Sequence, residues 1–386
     1  MRSRLSLAGA PRLWLVAAAI AGLAPALARA DKPKYTKTEA AISNAPTATL
    51  TKMTAKKTDD KKRPALEASD VFRGVGDQLK TVTDTQIKVL QRLIDNTSDD
   101  DPEKPDLLFR MAELYAEQEH YYNFKARELD EKMFDAQGRG DTKTADTLRA
   151  TQKDYEKREK DWLKAAVKQY IAVTQNPKFV NYKRMDQVLY YLAFLLTQQK
   201  REDLARPIFK RLIKDYPNSQ YIPDAYLSFG EYFFEEKRME EALKFYDKVL
   251  QFPDSRVYNY AHYKEGWVYL NLQDYKKALE VFVSVITEVK PGKDTQKVSL
   301  VKEAKKDAVR SYAYIGTCDK AWPFFQRIGG DYAKTMMEQV AELYNAQGKF
   351  DESICSYRQL IKLTPDDPKL CNWQREILAN TLSKTG

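Results

Sequence analysis

Apolar and polar positions alternate with a helical period over most of residues 66 to 386. Within this pattern, a small residue is followed 12 positions later by a second small residue, and an aromatic residue follows 4 positions after that. The spacing occurs in four sets: Ala193, Ala205 and Phe209; Gly230, Ala242 and Tyr246; Gly266, Ala278 and Phe282; Ala341, Ser353 and Tyr357. The first members of the initial three sets lie 37 and 36 residues apart. A period of this length is typical of stacked pairs of antiparallel helices.

The recurring small residues have a steric explanation. Two antiparallel helices approach closely only where their side chains are small, and an aromatic ring fills the adjacent gap. Proline residues such as Pro217 and Pro253 follow the second helices and end them, because proline cannot donate the backbone hydrogen bond. The pattern therefore predicts helix hairpins, each closed by a contact between a small residue and a ring.

One predicted repeat is longer than the others. Residues 105–177 begin with the first-helix pattern at Leu108, but the second-helix pattern returns only at Ala166 and Tyr170. The intervening residues 119–162 are rich in Lys, Glu and Asp. We expect the two helices of this repeat to be drawn out into a long charged hairpin.

Another predicted repeat is shorter. Gly266 and Ala341 are 75 residues apart, which is the length of two repeats. Between them, Ala313 is followed by Ala321 after 8 positions instead of 12. The spacing predicts a compressed repeat at residues 300–330, with a tight turn between its helices.

These elements predict an all-α fold. We expect a right-handed α-solenoid of about five to six helix hairpins, one of which carries the long charged insertion. The predicted segments are an N-terminal helix or cap at 66–104, an extended repeat at 105–177, and a repeat array with a C-terminal helix at 186–386.

The first 30 residues have the order of a secretory signal peptide. Three arginines precede an apolar run at residues 13–28, and the small residues Ala28 and Ala30 form the expected cleavage site. The alternative is an uncleaved membrane anchor, but the run is shorter than the about 20 residues that span a bilayer. We predict cleavage of residues 1–30 and export to the periplasm, with the periphery of the outer membrane as the narrower hypothesis.

The net charge of +9 is concentrated at the N-terminus. Residues 1–30 contain four arginines and no acid, and residues 31–65 contain nine Lys or Arg against four acids, so the rest of the chain is neutral. This distribution does not favour a nucleic-acid partner. We predict a disordered basic tether at 31–65, whose residues 56–63 make weak contact with anionic envelope polymers or only keep the tether soluble.

The sequence offers little catalytic chemistry. Its two histidines, His120 and His262, have no suitably spaced carboxylate or cysteine partner, and no glycine-rich phosphate loop is present. We predict a protein that is not an enzyme and has no catalytic residue, cofactor or metal site.

The chain has three cysteines, Cys318, Cys355 and Cys371. An oxidising compartment allows one disulfide with one thiol left over. We expect the bridge between Cys355 and Cys371, and the alternative is three unpaired thiols.

Because of the recurring small and aromatic positions, residues 186–290 and 334–367 resemble the tetratricopeptide repeat family. The junction at Tyr216-Pro217-Asn218-Ser219 is similar to those of bacterial envelope proteins such as the outer-membrane assembly lipoprotein BamD and the Tol-associated periplasmic coordinator. The sequences at 90–97 and 105–115 resemble repeat proteins of myxobacterial gliding motility.

The family resemblance also implies a partner-binding stripe on the first helices. Carried onto this chain, the stripe contains Tyr190, Phe194, Glu231, Tyr263, Trp267 and Asn271. We expect it to face outward along a concave groove that binds an extended peptide or a partner helix. The alternative is that Tyr190, Tyr263 and Trp267 pack against neighbouring helices.

The family's clamp for a chain-terminal carboxylate needs Lys and Asn, whereas its positions here hold Tyr190, Leu227, Tyr263 and Glu338. That mode of binding is therefore not expected.

The leading functional hypothesis is a periplasmic protein-protein interaction scaffold for an envelope-spanning complex, in gliding motility or in outer-membrane and envelope maintenance. One alternative is a module associated with peptidoglycan or polysaccharide. Another is the N-terminal scaffold part of a larger enzyme or transport assembly.

Overall fold

The computed structural model describes residues 68–290 and 295–385. The predicted signal peptide at 1–30 and tether at 31–65 lie outside the described residues. The chain divides into two compact units, the first ending at Arg201 and the second beginning at Glu202. Each unit is described by itself below.

The first unit consists of helices. Their bounds are α1 Ala68–Asn96, α2 Lys104–Gly138, α3 Thr142–Gln175, a short 3-10 turn at Pro177–Phe179, and α4 Met185–Gln198.

The second unit is also helical. Its elements are α5 Glu202–Asp215, α6 Ile222–Glu235, α7 Met239–Leu250, α8 Tyr258–Asn271, α9 Tyr275–Glu288, α10 Thr295–Ile315, α11 Cys318–Gly329, a 3-10 turn at Gly330–Tyr332, α12 Ala333–Ala346, α13 Phe350–Leu363 and α14 Leu370–Thr385. No strand occurs in either unit within the described ranges. The predicted all-α fold class is confirmed.

The long charged hairpin is formed by α2 and α3, and its existence is confirmed. Between them Gly140 adopts a left-handed φ of 75° and Asp141 caps α3 by accepting a hydrogen bond from the Thr144 N–H. Small and apolar residues are buried along the seam between the helices: Tyr122, Ala126, Leu129, Ala136 and Ala145.

Polar side chains add cross-links between these two helices. The Asn123 amide donates to Glu159 over 2.9 Å, and the Gln152 amide donates to the Ala126 carbonyl over 3.1 Å. The hairpin is thus a packed pair of helices with a narrow apolar seam and charged outer faces.

The regular repeats in the second unit close as the small-aromatic pattern predicts. A Cβ atom built on Gly230 would lie 2.6 Å from a ring carbon of Tyr246, and one built on Gly266 would lie 2.6 Å from a ring carbon of Phe282. Both rings are fully buried. The glycines therefore allow α6 to approach α7, and α8 to approach α9, more closely than a side chain would permit.

The compressed repeat has a two-residue turn between α10 and α11, made by Gly316 and Thr317. A neighbouring repeat holds this turn. The Lys349 ammonium donates to the Ala313 carbonyl over 2.7 Å, and Glu352 accepts a hydrogen bond from the Cys318 N–H over 2.6 Å. The last carbonyls of α10 and the first N–H of α11 are thus satisfied by side chains at the start of α13.

The disulfide joins Cys318 to Cys355, whose Cα atoms are 6.0 Å apart, and Cys371 is free and exposed. The predicted pairing of Cys355 with Cys371 is therefore wrong, and so is the alternative of three free thiols.

The helix register explains this outcome. Asn380 on α14 donates to Ser353 on α13, which places Cys371 roughly 10 Å along the helix axis from the level of Cys355. That offset exceeds the reach of a disulfide.

Candidate functional site

The predicted stripe begins in the first unit with Tyr190 and Phe194 on α4. The Tyr190 ring is only 6% exposed, and it lies 6.0 Å from the Phe194 ring and 5.4 Å from the Tyr191 ring, centroid to centroid. Phe194 is half-buried. These rings therefore form an aromatic cluster within the unit.

Glu231 lies on α6 and links three helices. Its carboxylate accepts hydrogen bonds from the Tyr246 hydroxyl over 2.7 Å and the Tyr260 hydroxyl over 3.2 Å. The Lys264 ammonium is 3.4 Å from the same carboxylate and 3.8 Å from the centroid of the Phe234 ring. Burial raises the pKa of Tyr246 well above its usual value, so its hydroxyl stays protonated and continues to donate. Glu231 is thus fully engaged by the fold.

Tyr263 and Trp267 lie on α8 and are each 4% exposed. The Tyr263 hydroxyl donates to Asp307 on α10 over 2.6 Å, and Arg310 donates to the other oxygen of Asp307 over 3.0 Å. Asp307 is buried, and its burial raises the pKa of the carboxyl group to about 6. Arg310, the Tyr263 hydroxyl and the Trp267 side chain each lower the pKa of this carboxyl, so they offset part of the cost of burying its charge.

The expectation that Tyr190, Tyr263 and Trp267 face outward is wrong, because all three rings are buried. For Tyr263 and Trp267, the alternative of packing against a neighbouring helix describes what is seen. Asn271 is exposed, and its amide donates to the Trp267 carbonyl over 2.7 Å. Binding of a partner along the stripe stays a prediction.

The structure identifies candidate binding residues that the sequence patterns did not select. Arg310 has a side chain 37% exposed, and its guanidinium carbon lies 5.7 Å from the centroid of the Trp267 ring. One turn further along α10, Tyr314 is half-exposed and stacks on Tyr275, with ring centroids 3.8 Å apart and planes within 3°. A signal was present, since Asp307, Arg310 and Tyr314 share one face of α10. The shortened repeat obscured which face that was.

A group of titratable side chains lies between α7 and α8. Burial, together with the nearby Asp247 carboxylate, raises the pKa of Glu265 to about 7. Burial lowers the pKa of His262, whose Nε2 lies 3.9 Å from a carboxylate oxygen of Glu265. The group is polar and crowded, and it is not an assembled set of catalytic or metal-ligating residues.

Within residues whose side chains are described, no cluster of three or more His, Cys, Asp or Glu has the arrangement of a metal site. The helices found in the described ranges are too short or too polar to cross a membrane.

A model of the tetratricopeptide repeat matches residues 187–219 and 260–289, and a second model with the same description matches 335–367. These segments coincide with α4 and α5, with α8 and α9, and with α12 and α13. A search of curated proteins finds no match.

Solved structures with similarity to the chain include three that it covers almost completely. PilF of Pseudomonas aeruginosa is 13% identical, with 66% of this chain and 99% of that chain covered and a TM-score of 0.31. TTC0263, a tetratricopeptide repeat protein of Thermus thermophilus, is 19% identical, with 50% and 99% covered and a TM-score of 0.26. The tetratricopeptide repeat domain of P58(IPK) is 10% identical, with 82% and 99% covered and a TM-score of 0.21.

Repeats of this kind generally bind protein partners and generally belong to scaffolds without catalytic activity. The three matched segments, each of which falls on two successive helices, support a tetratricopeptide repeat protein that acts as a protein-protein interaction scaffold.

Proposed function

We propose that this protein is an exported scaffold that holds protein components of a bacterial envelope complex together. The observation that carries the proposal is the match of three segments, each spanning two successive helices, to tetratricopeptide repeats. The process that best fits the sequence resemblances is gliding motility or maintenance of the outer membrane and envelope.

Export is supported by two features of the chain. The order of residues 1–30 is that of a signal peptide, and Cys318 and Cys355 form a disulfide of a kind that persists in oxidising compartments. Fractionation of cells, with thiol alkylation before lysis, tests this point. We expect a periplasmic protein with a single alkylated thiol at Cys371. A cytoplasmic protein with three alkylated thiols would contradict export.

The partner is expected to contact exposed parts of the array. Alanine substitutions at Tyr263 and Trp267 would damage the fold, because both side chains are buried, so they are poor probes of binding. Asn271 on the predicted stripe and Phe134 on the long hairpin are better probes. Asn271 is exposed, and Phe134 is a large apolar residue that is 70% exposed.

A photo-crosslinking amino acid placed singly at Asn271, Phe134 or Asp254 in intact cells tests the proposal. Asp254 is an exposed residue in the turn between α7 and α8 and serves as the matched control. We expect one or more proteins to be captured from Asn271 or Phe134 and not from Asp254. The same products from all three positions, or none from any, would contradict a scaffold that uses these surfaces.

The basic residues 56–63 add a weaker contact with anionic polymers to this proposal. Sedimentation with purified cell wall at low and high salt tests it, because exposed charge pairs are screened by salt. We expect partial sedimentation that is lost when residues 56–63 are changed to Ser and Gly. Salt-resistant sedimentation of both forms would instead favour a peptidoglycan-associated module.

A further inference from the structure

The most distinctive exposed surface of the second unit lies where α8, α9 and α10 end or begin. It combines the Arg310 guanidinium with a group of exposed or half-buried apolar side chains, which we call the tyrosine patch. The tyrosine patch consists of Leu272, Tyr275, Tyr314 and Ile315. Arg and Tyr are among the residue types enriched at the positions that dominate protein-protein binding energy.

Arg310 is held in place by buried groups and retains binding capacity. One nitrogen of its guanidinium donates to Asp307, and Asp307 is itself fixed by the Tyr263 hydroxyl. The remaining N–H donors of Arg310 have no partner among the described side chains and backbone groups. A guanidinium has five donors in a planar fork that matches a carboxylate, so Arg310 can bridge Asp307 and a second carboxylate.

The tyrosine patch is rigid as well as exposed. The Tyr275 and Tyr314 rings stack in parallel with centroids 3.8 Å apart, and the Lys349 ammonium donates to the Tyr314 carbonyl over 3.2 Å. Leu272, Tyr314 and Ile315 are each between 43% and 47% exposed. Because the two tyrosine rings are held against each other, a partner that covers them costs the protein little conformational entropy in these two side chains.

The spacing of these two elements selects the partner. Arg310 and Tyr314 are four residues apart on α10, which corresponds to about 6 Å along the helix. An extended peptide rises about 3.3 Å per residue and places alternate side chains on the same side. Two peptide residues separated by one intervening residue therefore have a spacing close to that of the Arg310 and Tyr314 backbone positions.

We propose that Arg310 and the tyrosine patch bind an extended peptide segment that has an acidic residue and an aliphatic residue separated by one position. The acidic side chain pairs with Arg310, and the aliphatic side chain covers the stacked tyrosines. This inference rests on the proposed protein-binding function and specifies one surface and one partner chemistry for it. The carboxylate is that of a side chain within the segment, and no chain terminus takes part.

Fluorescence anisotropy with the purified mature protein tests the proposal. The probe is a labelled Gly-Ser-rich peptide with a central Glu-Ser-Leu sequence, blocked at both ends by acetyl and amide groups. Two control peptides have Gln in place of Glu, or Glu and Leu adjacent. We expect the Glu-Ser-Leu peptide to bind at least about tenfold more tightly than either control, which is the loss expected when one hot-spot contact is removed.

Variants of the protein assign the binding to this surface. We expect Arg310→Gln and Tyr314→Ser each to weaken binding of the Glu-Ser-Leu peptide by about tenfold or more. Arg375→Gln is the matched control, because Arg375 is an exposed arginine on α14 of the same unit, and it should leave binding unchanged. Tyr314→Ser lies at an exposed position, so it keeps the test valid if Arg310→Gln destabilises the fold by leaving Asp307 without its cation.

The inference is overturned if the three peptides bind equally, if none binds, or if Arg310→Gln and Tyr314→Ser bind like the wild type. These outcomes are separate from failure of the scaffold function. Photo-crosslinking from Asn271 or Phe134 in cells would still capture partners if the protein is a scaffold that uses a different surface.

Discussion

The regular pair α8–α9 and the compressed pair α10–α11 follow each other in the chain, yet different contacts hold them closed. In the regular pair, Gly266 lies against the buried Phe282 ring, so both partners come from the same repeat. In the compressed pair, the turn is held by Lys349 and Glu352 and by the disulfide to Cys355. All three of these residues belong to the following repeat.

The comparison shows that the shortened repeat depends on contacts from the following repeat and leaves the end of its first helix exposed. A regular repeat closes its small-aromatic contact within itself, and its first helix also contacts the next repeat, as Tyr263 does through Asp307. The compressed repeat needs cross-links, and the end of its first helix remains exposed at Tyr314 and Ile315. The irregular repeat is thus the place where this array departs from a generic scaffold.

The substitution with the largest expected effect disrupts the regular repeat. Phe282→Ala removes a fully buried ring that fills the gap opposite Gly266, and we expect it to destabilise the second unit by about 3 to 5 kcal/mol. Urea unfolding followed by circular dichroism measures the change. Tyr258→Ala, at a half-buried position at the start of α8, is the control and should cost clearly less. Equal losses would show that the ring contact does not close the repeat.

The substitution with the second-largest expected effect removes the covalent cross-link of the compressed repeat. Replacing Cys318 and Cys355 together by Ser opens a bridge between residues 37 positions apart, and we expect a loss of about 2 to 4 kcal/mol. Cys371→Ser should have almost no effect, since its thiol is free and exposed. Unfolding in urea without reductant measures both. A loss in the double variant no greater than that in Cys371→Ser would contradict a stabilising cross-link.

These two predictions also mark the limit of what the sequence could reveal. Gly266 and Phe282 were predictable partners because their contact is local and recurs with the repeat. The disulfide was not predictable, since whether Cys355 meets Cys318 or Cys371 depends on how helices slide along one another.

Buried aromatic residues posed a related problem. The positions of Tyr263 and Trp267 on the first helix were predicted, but their hydrogen bonds to Asp307 in the shortened repeat were not. The same shortening hid Arg310 and the tyrosine patch. Sequence spacing thus predicts the order and pairing of the regular helices. Which face of an irregular helix is buried is seen only in the structure.

A third prediction sharpens the role of the small residue in the regular repeat. Gly230→Ala places a Cβ atom 2.6 Å from a ring carbon of Tyr246, which is buried and hydrogen-bonded to Glu231. Overpacking costs about 1 to 3 kcal/mol, and the helix preference for Ala over Gly returns about 1 kcal/mol of this. We expect a net loss of up to about 2 kcal/mol in urea unfolding.

Gly138→Ala is the matched control for that substitution. Gly138 is the last residue of α2, and a Cβ atom built there meets nothing within 4 Å. We expect this variant to be neutral or more stable by up to about 1 kcal/mol. If both glycine variants behaved alike, helix preference and not the ring contact would explain the glycines of the regular repeats.

The smallest expected effect on stability comes from Glu265, whose carboxylate lies between α7 and α8. A carboxyl group whose pKa is higher in the folded state binds protons more readily when folded. Because burial and Asp247 raise the pKa of Glu265 to about 7, the stability that it contributes at low pH should be lost as pH rises from about 4.3 to about 7. Glu265→Gln keeps a neutral side chain of the same size at every pH. We therefore expect this variant to match the wild type near about pH 4 and to exceed it by about 1 kcal/mol near about pH 8. Thermal unfolding across this range measures the difference, with the exposed Glu235→Gln as control. A pH-independent difference for Glu265→Gln would contradict a raised pKa of this carboxyl as a determinant of stability.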